Sequence, residues 1–245
     1  MKTTAKRDSV NKMRAHPDSV SRNGRSRLRL PVLSLASLAL ILSASTILAG
    51  SGTWDPNPID SNWSTPANWS CNCVPNGGFD TATFGVSNIT NLILSEEITV
   101  FELFFGSTSS AYTISCPPGE FFTVGNGGIV QESETVQKIV AAVDELGNAG
   151  GFAILGGSAG SSTIFTAEAR TSADGASGYL LFNITASAGS ATIINKGGVV
   201  SGADGGQTGF FGQATAGNAQ ITNEAGTVSG AGGLTWFPFL SLDQV

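Results

Sequence analysis

Ser187–Gly205 reads SAGSATIINKGGVVSGADG, and Thr215–Gly233, 28 residues further on, reads TAGNAQITNEAGTVSGAGG. Eleven of the nineteen positions are identical, among them Ile193 and Ile221, Asn195 and Asn223, Gly189 and Gly217. A period of this length, built of short β-type runs and glycine, marks a stacked unit that buries its apolar face only against its neighbours. Counting back from Ala188-Gly189 and Ala216-Gly217 to Ala159-Gly160 brings out a third, eroded copy about 29 residues earlier. That alignment predicts two interior ladders, Ile164–Ile193–Ile221 and Phe152–Phe182–Phe210, and an amide stack of Asn195 on Asn223 at a corner.

Upstream, Thr81–Phe84, Asn91–Leu94, Ile98–Phe105, Tyr112–Ser115 and Phe121–Val124 are rich in Val, Ile, Thr and Phe and are punctuated by turn residues. They read as further short strands. In Ile98–Phe105 (ITVFELFF) the alternation fails near the end, the pattern expected of a strand covered on both faces. Ser133–Gly147 is ambiguous: Val136, Ile139, Val140, Val143 and Leu146 fall at helical spacing. The surrounding repeat favours strand there, with helix as the competing reading.

Residues 50–79 differ in composition, being rich in Trp, Asn, Pro and Ser, with Asn62-Trp63-Ser64 recurring as Asn68-Trp69-Ser70. Four prolines exclude a long helix. The segment is expected to cap the stack, because a bare end exposes apolar layers and unpaired strand edges. Trp54, Trp63 and Trp69 either anchor this cap or, if exposed, stack on sugar rings; anchoring is the favoured of the two. At the other end, Trp236, Phe237, Phe239 and Leu240 break the repeat and are candidates to cover the last turn.

Nine of the twelve Lys and Arg lie in residues 1–30, ahead of the apolar run Leu30–Ala49. This is the layout of a secretory leader, residues 1–49, with cleavage expected after Ala49; an uncleaved anchor is the alternative. Beyond it only Lys138, Arg170 and Lys196 oppose sixteen acidic residues, a net charge of −13. So acidic a surface repels nucleic-acid phosphates and anionic lipid. No nucleic-acid partner is expected, and membrane contact only through the leader or a missing translocator.

The histidine of this chain, His16, lies in the leader, so Ser-His-Asp and Cys-His catalysis are excluded from the exported part, as is a His-bearing zinc site. No cofactor and no metal are expected. Three cysteines remain, Cys71, Cys73 and Cys116; one bridge to Cys116 is expected, with Cys73 as its partner. Carboxylate chemistry has the candidates Glu96 with Glu97, Glu132 with Glu134, and Glu168 beside Arg170, at spacings that solvated charges also adopt.

The segments WDPNPIDSNWSTPANWS (Trp54–Ser70), VPNGGFDTATFG (Val74–Gly85) and the repeats above resemble the passengers of bacterial autotransporter-like surface proteins built from autotransporter-associated β-strand repeats. That resemblance, over most of residues 50–233, implies a right-handed parallel β-helix, export, and display at or beyond the cell surface. Such proteins often end in a membrane β-barrel, which does not follow Val245 here, so a passenger cut short of its barrel is one expectation. Together these readings give an all-β, right-handed parallel β-helix over residues 80–245 with a Trp-rich cap at 50–79. The expected role is a non-enzymatic structural or adhesion module at the cell surface or outside the cell, the periplasm being the other compartment. Its partner would be an extracellular glycan or a surface protein. A glycan-binding or glycan-cleaving β-helix is the rival reading.

Overall fold

A computed structural model describes residues 50–227 and 229–238; the leader, its Ala49 cleavage site, Phe239 and Leu240 lie outside the described residues. The chain is all-β. Among the described residues, fourteen strands run from β1 (Gly52–Thr53) through β2 (Gly77–Phe84), β3 (Asn91–Ile93), β4 (Ile98–Phe105), β5 (Thr113–Cys116), β6 (Phe121–Gln131) and β7 (Gln137–Ala141). They continue with β8 (Gly151–Ile154), β9 (Thr163–Ala167), β10 (Tyr179–Phe182), β11 (Thr192–Asn195), β12 (Gln207–Phe210), β13 (Gln220–Asn223) and β14 (Leu234–Trp236). From β2 on, even and odd strands alternate between two parallel sheets, β1-β2-β4-β6-β8-β10-β12-β14 and β3-β5-β7-β9-β11-β13. Each turn gives one strand to each sheet and the next turn lies on top, which makes a parallel β-solenoid. The ambiguous stretch 133–147 contributes the strand β7, so its apolar spacing serves a period of two.

Burial alternates along the strands, as in β5, β10 and β11, so every second side chain enters the space between the sheets. The interior rings touch in an unbroken series. Trp54 meets Trp69 edge-on at 5.1 Å, Trp69 meets Trp63 at 4.8 Å, and Trp63 meets Phe122 at 5.1 Å. Phe152, Phe165, Phe182 and Phe210 carry the line onward at 4.8–5.8 Å, and the half-exposed Phe237 stacks on Phe210 at 4.8 Å. Each such pair adds about 0.5–1.5 kcal/mol beyond the area it buries.

Strand register corrects both predicted ladders. Ile193 pairs with Ile221 as expected, but below it lies Phe165, and Ile164 pairs instead with the outward Thr192. Phe182 pairs with Phe210, whereas Phe152 is partnered by Leu180 and the position beneath Phe182 is Ile154. Phe152 and Phe182 lie 30 residues apart against a strand offset of 28, a two-residue slip that leaves both facing inward. For Ile164 the cause is the corner. Its bridge joins Ser158 to Ser187, 29 residues apart, while the strands on either side are offset by 28. Alignment on the Ala-Gly corner therefore slips β9 by one residue, and a one-residue slip exchanges the two faces of a strand.

The Asn stack forms, at the ends of strands β11 and β13 rather than in a corner: Asn195 Nδ2 donates to Asn223 Oδ1 at 2.8 Å. The predicted disulfide to Cys116 does not. Cys71 is bridged to Cys73 within the cap, where Asn72 takes a positive φ of 49° between them. Cys116 is a free, fully buried thiol at an inward position of β5, in the same column as Ala141, Ala167 and Asn195. There it serves as a small apolar side chain.

Candidate functional site

The three cap tryptophans are no more than 2% exposed, so a sugar cannot reach their rings. Each indole N–H has a backbone acceptor: Trp54 on Ile89 O (3.0 Å), Trp63 on Pro75 O (2.9 Å) and Trp69 on Trp63 O (2.7 Å). They pack as anchors, the favoured of the two readings, and the alternative of a glycan contact at Trp54, Trp63 and Trp69 is overturned by their burial. The buried amide of Asn68 ties the cap loop, accepting from Ile59 N–H at 2.9 Å and donating to Asp60 Oδ1 (2.8 Å) and Asn62 O (2.9 Å). Burial alone would raise the Asp60 carboxyl; hydrogen bonds from Asn68, the Asn62 N–H and Thr65 outweigh it and hold the group below its ordinary value.

The carboxylate candidates stay on the outside. Glu132 and Glu134 are exposed, Glu97 is exposed, and Arg170 pairs with Asp204 rather than Glu168. Among the described residues, the buried polar side chains are Asn68, Ser109, Gln137, Thr163, Asn195 and Thr208, none of them charged.

The two outer faces differ in kind. That of the six-stranded sheet interleaves Thr113, Ser115, Thr166, Thr192 and Thr222 with Ile93, Val140, Ile164 and Ile194, ordinary strand residues with no aromatic ring among them. The eight-stranded sheet carries a groove of about 300 Å³. Its origin is a pair of stacked register shifts. Gly77 pairs with Val100 but Thr81 with Glu102, and Val100 pairs with Val124 but Glu102 with Gly128. Phe79, Phe101 and Asn126 lie in these shifted segments of β2, β4 and β6 and line the groove. Bulges re-aim side chains, which explains the failed alternation in ITVFELFF: Phe101 is turned out of the sheet, and the strand is not covered on both faces.

Phe79 is 95% exposed and Phe101 36%. Phe101 rests across Gly127 of the next turn, where a Cβ would come within 2.9 Å of its ring carbons. Leu155 and Ile184 continue the wall over the next two turns. Ile184 is 51% exposed with φ at +56°, a left-handed conformation that Gly212, one turn later, adopts at +63°. A β-branched residue there costs about 1–3 kcal/mol. Strain of this kind in a groove wall points to function. Sequence reasoning missed Phe79, Phe101, Asn126 and Ile184. The broken alternation and the GNGG run at 125–128 were signals for the bulges, whereas Ile184 gave none.

A second, smaller depression of about 250 Å³ lies between Phe121 and Tyr179 with Glu120 at its rim. The neighbouring rings pack on the sheet itself, Phe211 against Trp236 at 4.9 Å and Tyr179 against Trp236 at 6.5 Å.

The fold and this surface define the class: a parallel β-solenoid with an apolar aromatic interior and one aromatic outer face. No family model, no curated protein and no solved structure matches the chain.

Proposed function

We propose that this chain is an exported structural or adhesion module, working at the cell surface or in the extracellular space and without catalytic activity. The observation that carries the reading is the division of labour in the solenoid. The described interior is filled by apolar columns and neutral amide or hydroxyl groups, so interactions fall to the outer faces. An acidic rod with a sealed N-terminal end presents such faces at a distance from whatever holds it. The repeat composition further supports an autotransporter-like passenger.

Two experiments test this. Protease treatment of intact cells expressing the tagged chain should remove the tag, and mass spectrometry should find processing near Ala49. Retention of the unprocessed chain in the cytosol would contradict export. Purified protein incubated with polysaccharides should release no reducing sugar; steady release that follows the protein through successive purification steps would make it an enzyme.

A further inference from the structure

We propose that the groove of Phe79, Phe101, Asn126, Leu155 and Ile184 binds a neutral polysaccharide chain, laid along the rod across the turns of β2, β4, β6, β8 and β10. The proposal rests on the surface-module reading and names its ligand class. Five stacked turns give a track about 19 Å long, enough for several sugar units.

Four features select this ligand. Phe79 stands almost wholly in solvent and Phe101 is partly exposed, although neither needs to be for the fold. Exposed rings in a groove are platforms for the C–H faces of pyranose rings. Asn126, Thr99 and Thr123 line the same groove, and their side chains make no hydrogen bond within the described residues, leaving an amide and two hydroxyls for sugar hydroxyls.

Charge is the third feature. No ionisable side chain lines the groove. Lys138 is exposed on the six-stranded sheet, Arg170 is held by Asp204, and Lys196 donates to Glu224 at 3.0 Å. An anionic polymer would find no cation at the groove and a strongly negative molecule around it.

Backbone pairing is the fourth. β4 is bonded to β2 on one side and β6 on the other, so the groove floor has no free sheet edge. A peptide adding as a strand needs such an edge. A sugar chain does not.

The test is retention of the purified protein on cellulose and chitin, and its retardation in native gels containing galactomannan, with alginate and heparin as anionic comparisons. The wild type should bind at least one neutral polymer. Phe79→Ala and Phe101→Ala should each weaken that binding about tenfold, with an unchanged unfolding midpoint for Phe79→Ala. Ile184→Gly should weaken binding without loss of stability, which separates the groove wall from a folding role. The proposal is overturned if no neutral polymer is bound, if the alanine variants bind as the wild type does, or if alginate, heparin or an apolar protein partner takes the groove instead. A protein displayed on cells that ignores every neutral polymer would sink the ligand class alone. A cytosolic protein would sink the surface role whatever it binds.

Discussion

Asn195 lies directly beneath Asn223, and its Nδ2 donates both to Asn223 Oδ1 at 2.8 Å and to Thr235 Oγ1 at 2.9 Å. Its own Oδ1 accepts from Thr208 Oγ1 at 2.6 Å, inside the stack. One amide thus joins the two sheets and the last two turns. Column neighbours Ala167 and Ala141 have no polar atoms to satisfy, so the amide ladder begins where the C-terminal turns do. Asn195→Ala leaves the buried Thr208 hydroxyl without its partner and should cost about 1–3 kcal/mol in urea unfolding. Asn223→Ala, at an exposed position, should cost less.

Register assigns opposite fates to two adjacent residues. Phe165 faces inward against Phe152 and Phe182, so Phe165→Ala should lose about 3–5 kcal/mol. Ile164 faces outward, and Ile164→Ser should fall within about 0.5 kcal/mol of wild type. Equal losses for both would contradict the strand faces described.

Two corner positions should respond in opposite directions. Gly189 has φ of +61°, and a Cβ there would meet Ser158 Oγ at 2.6 Å and Gly160 O at 2.8 Å. Gly189→Ala should therefore destabilise by more than about 1 kcal/mol. Ile184→Gly removes left-handed strain and should raise stability by up to about 1 kcal/mol, the gain being limited by the greater freedom of glycine in the unfolded chain. Thermal unfolding of the two variants reads both signs.

The cap should loosen in acid. The Asp60 carboxyl is held below its ordinary value of 3.8, so its stabilising effect is present above that value and is lost as pH falls through the lower folded-state value. Emission of the buried tryptophans should shift to the red below about pH 4, and the stability difference between wild type and Asp60→Asn should vanish in the same range.

Cys116 should be silent. Burial pushes its thiol far above the ordinary range, and thiolate is the reactive form. Alkylation should label it only as the chain unfolds; rapid labelling of the native protein would contradict its inward position.

The solenoid was legible because its signal is repeated: Ile193 and Ile221, or Asn195 and Asn223, state the same position twice. The register of β9 was not, because one residue of difference at the Ser158 corner is invisible in a glycine- and serine-rich stretch, yet it inverts a strand. The aromatic-rich N-terminal region was legible from Trp54, Trp63 and Trp69, but composition alone does not distinguish a buried indole from an exposed one. The Cys71–Cys73 bridge turns on a local loop with Asn72 at positive φ, a conformation that spacing does not encode. The groove was half visible. Broken alternation around Phe101 marks a departure from a flat strand, but only the pairing of β4 with β2 and β6 shows a register shift on each side of it.

The stacked register is the claim on which the columns, the corner and the groove all depend, and cysteine pairs read it directly. Ile194 and Thr222 are outward partners on β11 and β13, and neighbouring strands lie about 4.8 Å apart, within disulfide reach. In a Cys116→Ala background, Ile194→Cys with Thr222→Cys should oxidise to a crosslink, while Ile194→Cys with the inward Ile221→Cys should not. A crosslink in the second pair and none in the first would contradict the register.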